Sequence, residues 1–301
     1  MSENISKSQL YAGDLMMLTA TLVWGGMTVF SKQILSELDI FNMIALRFLL
    51  SFGLCLAVFW KRYRSLRRQT VLHSLVLGAL LFVSYFFMVW GCDNTTASNS
   101  GFMMSLTAVF IPLILALRFR RLPSRRLMLS VLITICGVGL MCLSPGFSLN
   151  FGDWLCVICA FCYSFQMIFS ERYAHQDDPV VLGTLQLLFV GLLALVCSLV
   201  MEDGLRLPAT GAGWWQLGYL AVFCGALGFI MQTLAVQRIP SSHASLIFAT
   251  EPVFVALFAF FLLQESIGPR QIIGMAVVFV GVFITEYKKA AIVQDSMVKE
   301  A

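Results

Sequence analysis

Ten apolar stretches, at residues 14–34, 40–60, 71–90, 98–117, 127–143, 153–170, 179–201, 214–236, 242–264 and 270–287, leave this chain few ways to fold. Each runs to about twenty residues, which is what a helix rising about 1.5 Å per residue needs to cross the ~30 Å hydrocarbon core of a bilayer. In that core a backbone has no water to bond. A segment of this length must therefore satisfy its own N–H and C=O groups as a helix. The first stretch is too long for the apolar core of a cleaved signal and lacks a basic region before it, so it is expected to stay as a span. Only 12% of residues are charged, about half the share of a soluble domain, and the linkers are too short to fold separately. The chain reads as an all-α membrane protein with ten transmembrane helices.

Basic residues set the orientation. With the N-terminus inside, sixteen of the twenty Lys and Arg fall in inner segments, chiefly 61–68, 118–126 and 288–299. Lys32, Arg206 and Arg270 fall outside, and Arg47 lies within an apolar stretch. Cytoplasmic loops collect Lys and Arg, so both termini are expected in the cytoplasm, which an even number of spans requires. The net charge of +4 then reflects topology and anionic headgroups, and no nucleic-acid partner is expected.

The chain also resembles itself. Gly13-Asp14-Leu15 through Phe30-Ser31-Lys32 matches Gly152-Asp153-Trp154 through Phe169-Ser170-Glu171 at an offset of 139, which pairs Trp24 with Tyr163 and Arg47 with Gln186. Farther along the offset becomes 144, pairing Ser98 with Ser242, Val109-Phe110 with Val253-Phe254, and Gly137-Val138 with Gly281-Val282. The halves are 12–143 and 151–287, with a short cytoplasmic tail at 288–301. Five spans per half is an odd number, so the second copy enters from the opposite side. Inverted repeats of this kind recur in secondary transporters, with the solute site near mid-bilayer between the halves.

Two charges sit at membrane depth, Glu251 and Arg47, where an ionised side chain costs about 2.5–3.5 kcal/mol on insertion scales. Pro252 follows Glu251, cannot donate a hydrogen bond, and displaces the carbonyl of Phe248; Pro112 is expected to act similarly in the fourth span. Glu251 and Pro252 are candidates for coupling or gating. A purely packing role for Glu251 stands beside that reading, and Arg47 with Gln186 reads as a structural intramembrane pair. Cys156, Cys159 and Cys162 form a C-x-x-C-x-x-C run, but with no fourth Cys or His nearby they read as packing residues. No metal and no cofactor are expected.

The ten spans, the Glu-Pro-Val-Phe run at 251–254, the glycine-rich last span from Gln271 to Gly281, and Ala45-Leu46-Arg47-Phe48 together resemble the EamA branch of the drug/metabolite transporter superfamily. The resemblance implies two five-helix bundles and a central cavity lined mostly by spans 1, 3, 4, 6, 8 and 9. It also implies movement of small metabolites, often export of amino acids or related compounds.

Polar and aromatic residues at mid-depth on those spans are the substrate-binding candidates: Trp24, Tyr85, Asn99, Tyr163, Gln166 and Gln232. Such a set suits a neutral or zwitterionic amphipathic solute. His243 lies near the inner surface and reads as interfacial. The function expected is a secondary transporter of the plasma membrane (a bacterial inner membrane or its equivalent). Its partners would be a small-molecule substrate and the lipid bilayer, with proton coupling through Glu251. A membrane-embedded enzyme would need a nucleophile or metal cluster at depth, and a sensor would need an output domain; neither is visible, nor is a nucleotide-binding P-loop. Reporter fusions after Gln69 and Ala301 should read as cytoplasmic, and fusions after Leu149 and Gln264 as external. A cytoplasmic reading after Leu149 would overturn the five-plus-five arrangement.

Overall fold

The computed structural model describes residues 7–64, 66–95, 97–120, 123–143, 149–202, 204–264 and 267–299. Among them there are helices and no strands. The first span divides into α1 (Lys7–Gly25) and α2 (Met27–Ile34), followed by α3 (Ile40–Tyr63) and α4 (Arg68–Asp93). The fourth divides into α5 (Ala97–Ser105) and α6 (Thr107–Phe119), and α7 (Arg125–Cys142) ends the first half. The second half has α8 (Phe151–Ala174) and α9 (Pro179–Met201), then α10 (Gly211–Tyr219), a π-helical segment (Leu220–Leu227) and α11 (Gly228–Val236) in one span. It closes with α12 (Ser241–Phe248), α13 (Glu251–Leu263) and α14 (Pro269–Lys299). Nine stretches among the described residues are long and apolar enough to cross a membrane, and the apolar part of α14, Pro269–Ile284, is shorter. α14 continues as helix through most of the stretch expected as a tail.

Polar side chains point inward and large apolar ones outward. Thr21, Arg47, Ser51, Thr134, Ser164, Gln166, Gln186 and Gln232 are buried, while Leu15, Leu117, Val200, Phe261 and Phe283 are exposed. This is what a lipid solvent selects: apolar surface costs nothing against acyl chains, and polar groups find partners only between helices.

The helices pair across the two halves. α3 lies on α9 and α7 on α14; α4 packs against α8 as α1 does against α11; α5 and α6 touch α8 as α12 and α13 touch α1. Exchanging spans one to five with six to ten turns each of these pairings into itself or another. Close approach in the α7–α14 pair depends on glycine: a Cβ on Gly137 would lie 2.7 Å from the Val278 nitrogen, and one on Gly274 would lie 2.8 Å from the Gly137 carbonyl oxygen. Without a hydrophobic drive between helices in lipid, such backbone proximity is a main source of attraction.

Two spans break at equivalent places. α5 gives way to α6 at Leu106, and α12 to α13 at Ala249–Thr250; the 144-residue offset carries Leu106 onto Thr250. Each break is a tight turn with three-residue bonds, Leu106 N–H to the Met103 carbonyl (3.1 Å) and Thr250 N–H to that of Ile247 (2.9 Å). Hydroxyls cover neighbouring carbonyls, with Thr107 donating to Met104 and Thr250 to Ile247, both at 2.7 Å. The second break falls just before Pro252, as its missing N–H predicts. The first does not follow Pro112, which lies inside α6; that span breaks six residues earlier, where Ser105 and Thr107 compete for the backbone.

Carboxylates tie the halves at both ends. Glu202 accepts from the Phe41 and Asn42 amides at 2.7 and 2.9 Å, capping α3 from across the fold. At the same end Glu37 accepts from the Ala209 amide (3.0 Å), the Thr210 amide (3.2 Å) and the Thr210 hydroxyl. At the other end Asp177 meets His73 Nδ1 at 2.6 Å and the Thr70 hydroxyl at 2.5 Å, and Arg62 pairs with Asp178 at 2.9 Å. His243 pairs with Asp14 at 3.0 Å, so it faces α1 and is buried.

The Thr210 hydroxyl above all, with the Thr210 and Ala209 amides, holds the Glu37 carboxyl below its ordinary range. A carboxylate so depressed contributes fully above its unfolded pKa and is lost as pH falls through the lowered folded value. Amide exchange at Ala209 and Thr210 should therefore stay slow through the ordinary Glu range and accelerate only below it. In Glu37→Gln exchange should be faster at neutral pH and lose that transition.

Candidate functional site

A closed cavity lies where the broken spans meet, between the two halves. Trp24 of α1, Tyr85 of α4, Tyr163 of α8 and Glu251 of α13 all reach it. Some 380 Å³ of space lies between its atoms, but only about 30 Å³ admits the centre of a water-sized sphere. One water needs about 10–15 Å³ by that measure, so the cavity holds a water or two and no metabolite in this conformation.

Its walls are a connected run of rings. Tyr85 meets Phe48 edge-on at 5.1 Å, Phe48 meets Phe229 at 5.9 Å, and Phe229 meets Trp24 at 5.3 Å. Trp24 then meets Phe248 at 5.7 Å, and Phe248 meets Tyr163 at 5.4 Å. Met27, Met88 and Met104 fill between them. The Tyr85 hydroxyl is directed at the Met27 sulfur (3.5 Å) and the Cys159 thiol at that of Met104 (3.3 Å), both weak acceptors. Thioethers and rings of this kind re-pack readily around apolar groups.

Trp24 presents its ring to the cavity and spends its N–H elsewhere. The π-helical segment leaves carbonyls without their usual partners, and the Trp24 indole donates to that of Cys224 at 2.8 Å. Ser51 donates to the Ala221 carbonyl of the same segment at 2.8 Å. Gly228 makes room for the indole, since a Cβ there would reach its nitrogen at 2.5 Å.

The glutamines lie apart from the cavity wall. Gln232 donates to Gln166 (3.3 Å), Gln166 to Gln186 (3.0 Å), and Gln186 to the Gly183 carbonyl (3.1 Å), linking α11, α8 and α9. All three are fully buried. Arg47, equally buried, has its guanidinium carbon 4.7 Å from the Phe48 ring centre and 5.3 Å from that of Tyr85. Its Nε and Nη2 have no hydrogen-bond partner among the described residues. Pro252 begins α13 beside Glu251. The side chain of Asn99 lies outside the described residues. Among those described, no three His, Cys, Asp or Glu side chains cluster as a metal site, the cysteine run of α8 included.

The structure thus brings Trp24, Tyr85, Tyr163 and Glu251 to one cavity and gathers Gln166, Gln186 and Gln232 into a separate chain. Phe48, Phe229, Phe248 and the three methionines were not foreseen. Among 26 Phe and 15 Met in apolar sequence, only the backbone path tells wall from lipid face.

Apolar helices closed around an aromatic cavity, with polar groups turned inward, define a polytopic membrane protein built to enclose a small solute. Residues 11–143, and again 150–287, match the EamA-like transporter family. An uncharacterized transporter of Archaeoglobus fulgidus is 28% identical over 91% of this chain and 97% of its own. The uncharacterized transporter YetK of Bacillus subtilis is 22% identical over 90% of this chain and 85% of its own. A protein of known crystal structure shares the fold, with a TM-score of 0.76 over 90% of this chain and 97% of that chain at 20% identity. The chain belongs to the EamA-like transporter family and is a multi-pass membrane transporter.

Trp24→Phe keeps a ring but strips the Cys224 carbonyl of its donor, at a cost of about 1–3 kcal/mol. Trp24→Ala also opens a void, at about 3–5 kcal/mol. Unfolding in detergent should rank the variants in that order. A Trp24→Phe protein as stable as wild type would show that the indole N–H does not serve the π-helical segment.

Proposed function

We propose that this protein carries small amphipathic metabolites, amino acids or related solutes, outward across the plasma membrane by alternating access. The moving parts are two inverted five-helix repeats, 12–143 and 151–287, with both termini cytoplasmic and 288–301 as a tail. The carrying observation is the cavity between the halves, with room for a water or two and walls of rings and thioethers. A solute reaches it only if the halves part on one side. The exchange symmetry of the helix pairings supports opening by the same movement in mirror order on either side. The matched breaks at Leu106 and Thr250 supply places for the spans to bend. Amino acids as solutes and outward movement follow the resemblance drawn from sequence.

Glu251 and Pro252 are the proposed coupling element. The carboxyl lines the cavity, and the helix restarts at it after the break, so gaining or losing a proton there changes charge where the span bends. The test is transport by purified protein in liposomes, with and without an imposed pH gradient. Glu251→Gln should retain solute exchange, lose pH-driven accumulation, and exchange at a rate that no longer varies with pH. Full pH-driven accumulation by a well-folded Glu251→Gln protein would leave that residue a packing role alone.

A further inference from the structure

Arg47 is a charge whose local surroundings do not account for it. It is 1% exposed at membrane depth, and both Nε and Nη2 lack a hydrogen-bond partner among the described residues. Buried polar groups are satisfied in the great majority of cases, and each exception calls for a missing partner. The unmet donors are also a particular pair. Nε–H and one Nη2–H lie parallel along one edge of the guanidinium plane, spaced to meet both oxygens of a carboxylate. Gln186, at the equivalent place in the other half, is buried to the same degree, yet its amide both accepts from Gln166 and donates to Gly183. The two halves match in position and differ in satisfaction, and the deficit lies on the charged side.

The deficit adjoins the cavity. The guanidinium lies over Phe48 and Tyr85, the first two rings of the aromatic run, and Tyr85 itself forms cavity wall. Arg47 therefore stands one ring behind the solute space.

We propose that Arg47 receives the carboxylate of the transported solute on its Nε/Nη2 edge once the cavity widens past Tyr85, with the solute's apolar body held against Phe48, Phe229 and Trp24. The solute class is then a monocarboxylate with an apolar or aromatic body, amino acids included. This rests on the transport reading above and narrows it. The carboxylate supplies the two missing acceptors and neutralises the buried cation, so binding is worth more to an acid than to its amide.

The test uses full-length protein in liposomes and a panel of apolar amino acids, their des-amino carboxylates (3-phenylpropanoate among them) and their carboxamides. Uptake and thermal stabilisation by the acids should exceed those of the matched carboxamides at least about tenfold, as a lost hydrogen bond to a charge predicts. Arg47→Gln should erase the preference, and Arg47→Lys, which keeps charge without the fork, should fall between. The readout is the acid-to-amide ratio, because a purely structural Arg47 would lower both alike. Carboxamides handled as well as acids by wild type, or an unchanged ratio in a folded Arg47→Gln protein, would overturn the carboxylate site and leave the transport reading standing. No uptake of any panel member by folded wild-type protein would sink both. If neither variant folds, the wild-type ratio alone decides.

Discussion

Every polar group in this chain must find its partner inside the protein, because the solvent around most of it is hydrocarbon. That single requirement makes the spans helical, turns Gln166, Gln186, Gln232, Thr21 and Ser164 inward, and leaves leucines and phenylalanines facing out. It also explains why departures from regular helix are informative here. A broken turn or π-helical segment frees carbonyls that lipid cannot satisfy, so each must be covered by a neighbour, and each cover links one span to another.

The covers are visible. Trp24 and Ser51 occupy carbonyls of the π-helical segment, joining it to α1 and α3. Thr107 and Thr250 occupy carbonyls at the two matched breaks. The spans that carry these irregularities are also the ones that meet at the cavity, while α7 and α14, which lie away from it, are regular and pack backbone to backbone through Gly137 and Gly274. Spans that are free to bend gather around the solute space, and a rigid pair stands apart from it. At both ends, carboxylates such as Glu202 and Asp177 fasten one half to the other through hydrogen bonds that a modest movement could release.

Much of this was legible in the chain. The membrane class, the nine or ten spans, the family and the gathering of Trp24, Tyr85, Tyr163 and Glu251 follow from apolar length, internal similarity and the rarity of charge at depth. Other features were not. Pro112 suggested a break where α6 is continuous, and the true break at Leu106 depends on two hydroxyls whose preference for local carbonyls is too weak to read from sequence. Gln166 and Gln232 share the depth of the cavity residues but turn toward Gln186, because rotation about a helix axis is set by its neighbours.

Sequence alone determined what could be bought only with length and polarity: the solvent this protein lives in, the number of its crossings, and where charge is costly enough to need a reason. Tertiary structure decided which side of each helix faces which neighbour. Apolar spans have little periodic contrast between a wall of a cavity, a packed interface and a lipid face, so only assembled helices show that six aromatic rings enclose one space. Arg47 is the clearest instance: sequence places the charge, but only the packed fold shows that two of its donors remain unmet beside that space.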